Sequence, residues 1–454
     1  MSIQAHPGPV RADAIRDCFD GAVPGYVATC APDGTPNITP LSQVQYVDEG
    51  HVALSYQFFN KTRRNVLANP RVQLLLIQPF TAAQYRLSLE YLRTETDGPL
   101  FQAMKAKLAG IASHAGMSGV FRLLGSDIYR IHSIEQLPGA TSAPPPRPHP
   151  LAALRALTAR LDACLDLDAM VNAVLDGLRE RLGFEHSMLL VRDPARDVLY
   201  TVGSRGYQRS GVGSEIPVGQ GVIGVCAREA TPIRVAHATS EAAYARTIRD
   251  SAERGGMGGL LETEIPMPGL ARSGSQMAAP VTAHGRVLGV LYAESEQEKR
   301  FSYDDEDVLV LLGAHLGLAM DDLQNCPETQ EAPASQPRLE PACGEDAGTP
   351  LVVRHYAEND SVFLDGEYLI KGVAGSILWA LVRDVQEQGR CEFTNRELRL
   401  DPRVQLPDLS DNLEARLVLL ARRLAERQAC LQIQKTGRGR FRLAVARPLK
   451  LESA

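Results

Sequence analysis

The stretch ALSYQFFNKTRRNVLANPRV, residues 53–72, decides the fold of the first third of the chain. A short apolar strand runs into a polar turn with three cations and a hydroxyl, and Asn69-Pro70 ends the helical segment. Cations and hydroxyl donors at the start of a helix are what a phosphate dianion requires. The stretch therefore predicts a phosphate site at Lys61, Thr62 and Arg63, with Asn65 capping or joining the same network. A solvated helix start is the competing interpretation.

Strand-like runs surround this stretch on both sides. The runs are YVATC (26–30), ITPLSQVQYV (38–47), HVALSYQF (51–58), RVQLLLIQP (71–79) and YRLSLEYLRTE (85–95). Turn signals such as Pro32-Asp33-Gly34 separate them, so the first two predict a hairpin. Consecutive strands without intervening helices imply an antiparallel barrel.

Residues 27–40 and 53–72 resemble the second hairpin and the phosphate-binding stretch of the pyridoxamine 5'-phosphate oxidase-like split barrel. The likeness covers most of residues 20–135 and includes a frame that begins at Ser55 and continues through Lys61-Thr62 to Asn69-Pro70. It implies bound FMN, with the backbone of residues 40–42 along the isoalloxazine ring. Related barrels take a deazaflavin or haem, and some have lost the cofactor, so these alternatives stay open. The positions that the resemblance and the turn chemistry assign to the cofactor are Pro40, Leu41, Ser42, Ser55, Lys61, Thr62, Arg63 and Asn65.

Two stretches of changed composition divide the chain. The Pro-rich segment 137–150 predicts a stiff spacer, and segment 325–350, which is almost free of large apolar residues, predicts a flexible linker. The predicted blocks are therefore a barrel at 1–136, a second domain at 151–324 and a third at 351–454.

The second block begins and ends in helical periodicity, with strands between. Asp168 is the predicted cap of a second helical segment, and Gly183 is its predicted stop. Residues 216–224, 277–281 with 289–291, and 301–319 resemble the glycine-rich turn, the central strands and the closing helix of a GAF domain. The resemblance implies an α/β sandwich that takes a small-molecule ligand, whose identity it does not give.

Two features of the predicted GAF domain each have two interpretations. Cys226 lies in an apolar helix, and a packed core thiol is favoured over a chromophore anchor. The glycine-containing stretch 238–274 is either a lid over the pocket or an irregular surface connection.

In the third block, a small sheet precedes three helices and a basic hairpin, with predicted caps at Thr394 and Ser410. This order, together with residues 436–443, resembles the winged helix of response-regulator-type transcription factors. The block carries 17 Lys and Arg against 14 Asp and Glu, a net of +3, which is weak for a dedicated DNA-binding domain. Protein contacts are therefore the alternative to DNA binding. The candidate DNA-contacting residues are Arg416, Arg422, Arg423, Arg427, Lys435, Arg438 and Arg440.

The bulk composition argues against several classes of protein. The 454 residues carry a net charge of -6, so attraction to DNA must be local, and no apolar run predicts a membrane span or a signal peptide. The eight cysteines form no metal-ligand spacing, so free thiols, no metal site and a cytoplasmic location are expected.

The sequence thus predicts a multidomain α+β chain: an antiparallel split β-barrel, a GAF α/β sandwich and a C-terminal winged helix. The predicted function is a cytoplasmic sensor and transcriptional regulator, in which barrel and GAF domain control DNA binding. The resemblances imply a homodimer. The alternative is an FMN-dependent oxidoreductase with regulatory domains, although no catalytic residue is identified, because flavin chemistry resides mostly in the cofactor.

Overall fold

The computed structural model describes residues 10–20, 23, 25–41, 43–57, 61–114, 122–144, 146, 150–235, 265–325, 349–404, 406, 412–437 and 439–453. Within these ranges the chain is a multidomain α+β protein, as predicted. None of the helices in these ranges is long and apolar enough to span a membrane.

The first domain is built on one seven-stranded sheet in the order β2-β1-β5-β6-β7-β4-β3, in which every pairing is antiparallel. The predicted hairpin is present, since Cys30 pairs with Pro36 across the turn between β1 and β2. A 3-10 helix at Asp13–Asp20 contributes Ile15 and Phe19 to the barrel core. Strands β1 to β7 are Gly25–Cys30, Pro36–Leu41, Val44–Asp48, His51–Tyr56, Arg71–Ile77, Gln84–Glu95 and Gly125–Gln136, and helices α1 and α2 are Lys61–Ala68 and Pro99–His114.

The second domain is a six-stranded antiparallel sheet between two helical layers, in the order β10-β9-β8-β13-β12-β11. Side chains alternate along β8: Leu189 and Val191 join the core that contains α3, α4 and α6, whereas Met188 and Leu190 join the core that contains α5. The strands β8 to β13 are His186–Asp193, Val198–Arg205, Glu215–Pro217, Ile233–Val235, Ser275–Ala283 and Arg286–Ser295. The helices α3 to α6 are Pro150–Asp162, Leu167–Leu182, Gly221–Glu229 and Tyr303–Asn325.

One predicted cap in this domain is wrong. The N-cap of α4 is Asp166, whose side chain accepts a hydrogen bond from the Ala169 amide, and Asp168 lies inside the first turn. Both residues are followed by helical sequence, and only the extended backbone at Asp166 aims its carboxylate at the free amides. The predicted stop is confirmed, because Gly183 ends α4 in the left-handed conformation with φ 65°.

The third domain has a four-stranded sheet in the order β16-β15-β14-β20 and a three-stranded sheet in the order β17-β19-β18. Three helices lie between the strands β16 and β18 along the chain. The strands β14 to β20 are Leu351–Tyr356, Ser361–Leu364, Glu367–Ile370, Glu392–Thr394, Leu431–Gly437, Arg440–Val445 and Leu449–Ser453. The helices α7 to α9 are Val373–Gln388, Asn395–Leu400 and Leu413–Glu426.

The two predicted caps of this domain have different outcomes. Thr394 and Glu397 form the predicted capping box at the start of α8. Helix α9 begins later than predicted, and its N-cap is Asn412, whose side chain accepts from the Ala415 amide. Ser410 lies outside the described residues. Strand β20 pairs in parallel with β14, which sequence periodicity did not indicate.

The second and third domains share one continuous hydrophobic core. Leu175 of α4 and Val202 of β9 belong to the same buried cluster as Leu420 of α9 and Leu378 of α7. The barrel also touches the second domain, because Ala106 of α2 lies in the cluster around α5. The third domain is therefore packed against the second rather than tethered by the linker alone.

Candidate functional site

A cleft in the barrel lies between β2, β4, β7 and the start of α1. Its accessible volume is about 250 Å³, close to the lower bound of roughly 300 Å³ for small-molecule sites. Five of the eight predicted cofactor positions line it: Pro40, Leu41, Ser55, Thr62 and Arg63. Ser42 lies outside the described residues. The remaining lining residues are Val27, Thr39, Leu54, Tyr56, Gln57, Val66, Asp127 and Tyr129.

A chain of hydrogen bonds fixes the Thr62 hydroxyl at this cleft. The Asn37 side-chain amide donates to Thr62 Oγ1 at 2.9 Å and to Thr29 Oγ1 at 3.3 Å. Buried Asn65 donates to the same Thr29 oxygen at 3.1 Å. Because Thr62 Oγ1 accepts from Asn37, its own proton remains for donation to a ligand. Asn65 therefore supports the site from behind, without lining the cleft.

Arg63 has a different set of partners from the one the sequence predicts. Its guanidinium lies 2.5 Å from an Asp127 oxygen and donates to Thr94 Oγ1 at 2.7 Å. It also stacks over the Tyr56 ring, 4.6 Å from the centroid. Burial opposes the charged form, but the Asp127 carboxylate outweighs it and raises the pKa of Arg63. The guanidinium is thus engaged by a carboxylate inside the cleft.

Lys61 lies at the first position of α1 and is exposed. Helix N-termini favour anions, so an exposed lysine there adds positive charge to the start of α1. Asp33 lies near it. A hydrogen bond from the Thr35 amide is the main cause that lowers the pKa of Asp33, and Lys61 adds to the effect.

The sequence did not predict the acidic and aromatic wall of the cleft, which Asp127 and Tyr129 form. Asp127 and Tyr129 come from β7, which pairs with β4 so that Leu54 lies opposite Asp127. Burial raises the pKa of Tyr129, and Asp127 raises it further. These residues lie more than 60 positions from the phosphate turn, and only the strand pairing brings them to it. The aspartate in the strand-like run SDIYRI is the local sequence signal that could have drawn attention to them.

The cations predicted for DNA contact mostly face the rest of this chain. Arg416 Nη2 lies 2.9 Å from Asp193 Oδ2 of β8, and Arg422 Nη2 lies 2.8 Å from Asp168 Oδ1 of α4. Burial lowers the pKa of Arg423, whose guanidinium donates to the Leu369 carbonyl.

Of the remaining four predicted cations, the structure describes three. Arg427 pairs with Glu367 at 2.6 Å, and Lys435 pairs with Asp166 at 3.1 Å. Arg440 is exposed in β19, whereas Arg438 lies outside the described residues. Five of the seven cations are therefore engaged within this chain.

The glycine-rich turn of the second domain leads into α5 as predicted, and Cys226 on that helix is fully buried. Burial raises the pKa of the Cys226 thiol, which suits a core residue. The predicted lid falls mostly on residues 236–264, outside the described part of the chain. Among the residues that the structure describes, no group of histidine, cysteine and carboxylate side chains could hold a metal ion.

Comparison with known families supports two of the three domains. Residues 12–129 match the family Pyridoxamine 5'-phosphate oxidase, and residues 164–321 match the family GAF domain. The chain therefore carries a pyridoxamine 5'-phosphate oxidase-like N-terminal domain followed by a GAF domain. This pair of domains suggests a sensor or regulatory protein.

The relatives described next are distant from this chain in sequence. An uncharacterized protein of Methanocaldococcus jannaschii is 32% identical over 93 residues, which are 18% of this chain and 62% of that protein. The GAF domain of an Acinetobacter phosphoenolpyruvate-protein phosphotransferase is 18% identical, with a TM-score of 0.30, over 37% of this chain and 90% of that one. An FMN-binding protein of Syntrophomonas wolfei is 14% identical, with a TM-score of 0.25, over 28% of this chain and 86% of that one. At these TM-scores the two structures carry no argument about function.

Proposed function

We propose that this protein is a sensor and transcriptional regulator, in which the barrel and the GAF domain control a DNA-binding winged helix. The shared core of the GAF domain and the third domain carries the proposal. A ligand-dependent movement of the GAF sheet would be transmitted to α9 directly, because Gly203 of β9 lies against the Arg422 side chain. Coupling between two domains requires such a contact between elements that can rearrange.

The third domain supports a winged helix through its element order. A small sheet is followed by α7, α8 and α9, and then by the hairpin β18-β19 with Gly437 at its turn. Winged helices of response-regulator type have this order, and their third helix enters the major groove. Because α9 is the third of these helices, it is the proposed recognition helix. The hairpin β18-β19 is the proposed wing, and Arg440 is exposed on it.

The barrel cleft supports a flavin, of which FMN is the proposed form. Lys61 and the Thr62 hydroxyl at the start of α1 would hold the phosphate, while Pro40 and Leu41 line the part of the cleft that would take the ring. Bound flavin supplies hydride or electron transfer. This chain's residues hold and orient the group, and the Asp127 carboxylate adds a negative charge beside it.

The visible absorption spectrum of the purified full-length chain tests the cofactor, since flavin, deazaflavin and haem absorb differently. Fluorescence anisotropy with a labelled duplex, titrated with salt, tests DNA binding. We expect a flavin spectrum and binding that weakens with salt. Turnover of reduced nicotinamide with an acceptor, without DNA binding, would instead support the FMN-dependent oxidoreductase. Dimerisation, proposed because two half-sites would be engaged together, is measured by light scattering on the same sample.

A further inference from the structure

The GAF domain presents three carboxylates to the cationic helix α9 and the hairpin that follows it. They are Asp166 and Asp168 at the start of α4 and Asp193 at the end of β8. We propose that these three residues, here called the acidic face, form a docking surface that competes with DNA phosphates for the same cations. The proposal rests on the proposed function of the third domain as a DNA-binding module.

The centre of the contact is a buried ion pair. The side chains of Arg416 and Asp193 are 3% and 0% exposed, and their closest charged atoms are 2.9 Å apart. The Arg416 guanidinium also lies over the Tyr200 ring, 4.4 Å from its centroid. Asp193 is held in place because its Oδ1 accepts from the amides of Ala195 and Arg196. The carboxylate is therefore pre-oriented to receive an arginine.

The second cation is held by three different groups. Arg422 donates to Asp168 Oδ1 at 2.9 Å, to Asn172 Oδ1 at 2.9 Å and to the Val202 carbonyl at 2.9 Å. Residue 203 is glycine, and a Cβ there would lie 2.3 Å from Arg422 Nη1. The absence of a side chain at Gly203 thus leaves room for the Arg422 guanidinium. The N–H groups of Arg422 donate to acceptors of the GAF domain.

The rim of the contact is charged and partly hydrated. Lys435 of β18 pairs with Asp166 at 3.1 Å, and both side chains are more than a third exposed. Lys371 adds a pair to Glu215 at 3.4 Å. An exposed pair such as Lys435–Asp166 is weak and sensitive to salt, whereas the buried centre is screened much less. Changes at the rim should therefore alter the strength of the contact between the two domains but should not separate them by themselves.

Carboxylates and phosphates present similar paired oxygens to a guanidinium, so the N–H groups of a docked arginine that face a carboxylate are not available to a phosphate. A helix face packed on β9 and α4 also cannot enter a DNA groove. Docking and DNA binding are consequently exclusive states of α9, and whatever weakens docking raises apparent DNA affinity by removing the cost of opening.

The test uses the full-length chain with Asp166→Asn and Asp168→Asn combined. Asparagine still caps a helix, so α4 is retained while two carboxylate charges of the acidic face are removed. The matched control is Glu180→Gln with Glu185→Gln, which changes net charge equally at residues that pair with Arg160 and Arg179. Binding to a fluorescein-labelled mixed-sequence duplex is measured by anisotropy, and opening is measured by hydrogen exchange of α9 and β9.

We expect the acidic-face variant to bind the duplex about threefold to tenfold more tightly than the control and to exchange α9 amides faster. Equal affinity of variant and control, with DNA binding present in both, would overturn the competition while leaving the regulator intact. Unchanged exchange would overturn the docking role of these two carboxylates. Faster exchange without DNA binding by either protein would overturn the proposed DNA-binding function itself, and the competition with it.

Discussion

Helices α1 and α9 both carry clusters of cations, and the sequence predicts an anion partner for each. In α1, Lys61 is exposed at the first turn and Thr62 lines an accessible cleft. In α9, Arg416 and Arg423 are buried, and Arg422 is bound to the GAF domain. The two segments look alike in composition, yet one faces a cleft and the other faces protein carboxylates and carbonyls.

The role of a basic helix therefore depends on the groups that its cations contact, and not on its charge alone. Arg63 makes the same point inside the barrel, because Asp127 already binds it while its neighbour Lys61 stays exposed. Breaking a buried ion pair costs much free energy, whereas an exposed cation can bind a ligand without first losing a buried partner. Substitutions at four positions distinguish the paired cations from the exposed one, in order of decreasing expected effect.

Asp193→Asn should have the largest effect on stability. It leaves the Arg416 charge buried without a carboxylate, and breaking such a pair costs about 3–5 kcal/mol. Urea unfolding followed by the fluorescence of Trp379, the chain's only tryptophan, measures the free energy of unfolding of the third domain and its contact. Asp197→Asn is the matched control, because its side chain is 65% exposed and its pair with Arg192 is at the surface. A loss no larger than in this control would mean that the arginine is hydrated in solution.

Asp127→Asn should come next, with a loss of about 1.5–3 kcal/mol for a hydrogen bond to a charged group. The Arg63 guanidinium would then keep Thr94 but lose its carboxylate, so it becomes available to an anionic ligand. Calorimetric unfolding of the full-length chain gives the stability, and flavin titration gives the affinity. Lower stability together with tighter flavin binding is expected. Weaker flavin binding would mean that Asp127 contacts the ligand favourably.

Elements that depend on a few neighbouring residues are predictable from the sequence. The barrel hairpin, the Thr394–Glu397 capping box and the stop at Gly183 are each specified by a few neighbouring residues. Turn and capping chemistry is local, so these features can be read without knowing the rest of the fold.

The partners of the charged groups could not be predicted in the same way. Asp127 reaches Arg63 through the pairing of β7 with β4, and Asp193 reaches Arg416 across more than 200 residues. Charge patterns along α9 indicate which side chains share a face, but not whether that face meets solvent, DNA or another domain. The shift of the α4 cap from Asp168 to Asp166 has a related cause, because the backbone conformation at the helix start selects the capping residue.

Lys61→Ala tests the exposed cation of α1. Removing one charge-assisted contact should reduce FMN affinity by about tenfold, while stability changes little because the side chain is exposed. Arg64→Ala is the matched control: it removes the same charge from the next exposed position of α1, and Arg64 is outside the Lys61-Thr62 pair proposed to hold the phosphate. Full flavin retention in Lys61→Ala at low free FMN would place the phosphate elsewhere.

Asp166 gives the smallest effect and the one that depends on pH. Burial opposes its charged form, but the Ala169 amide and Lys435 outweigh it and lower the pKa of Asp166. Its folded pKa is therefore below the unfolded value of about 3.9, so its contribution is complete above that value and is lost as pH falls through the folded pKa. At neutral pH, Asp166→Ala should cost about 1 kcal/mol and Asp166→Asn only a few tenths, because the amide oxygen still caps α4. Urea unfolding across acidic pH should show the wild-type advantage over Asp166→Asn shrinking as pH falls. If that advantage grew instead, the carboxylate would not be acting as a charged cap paired with Lys435.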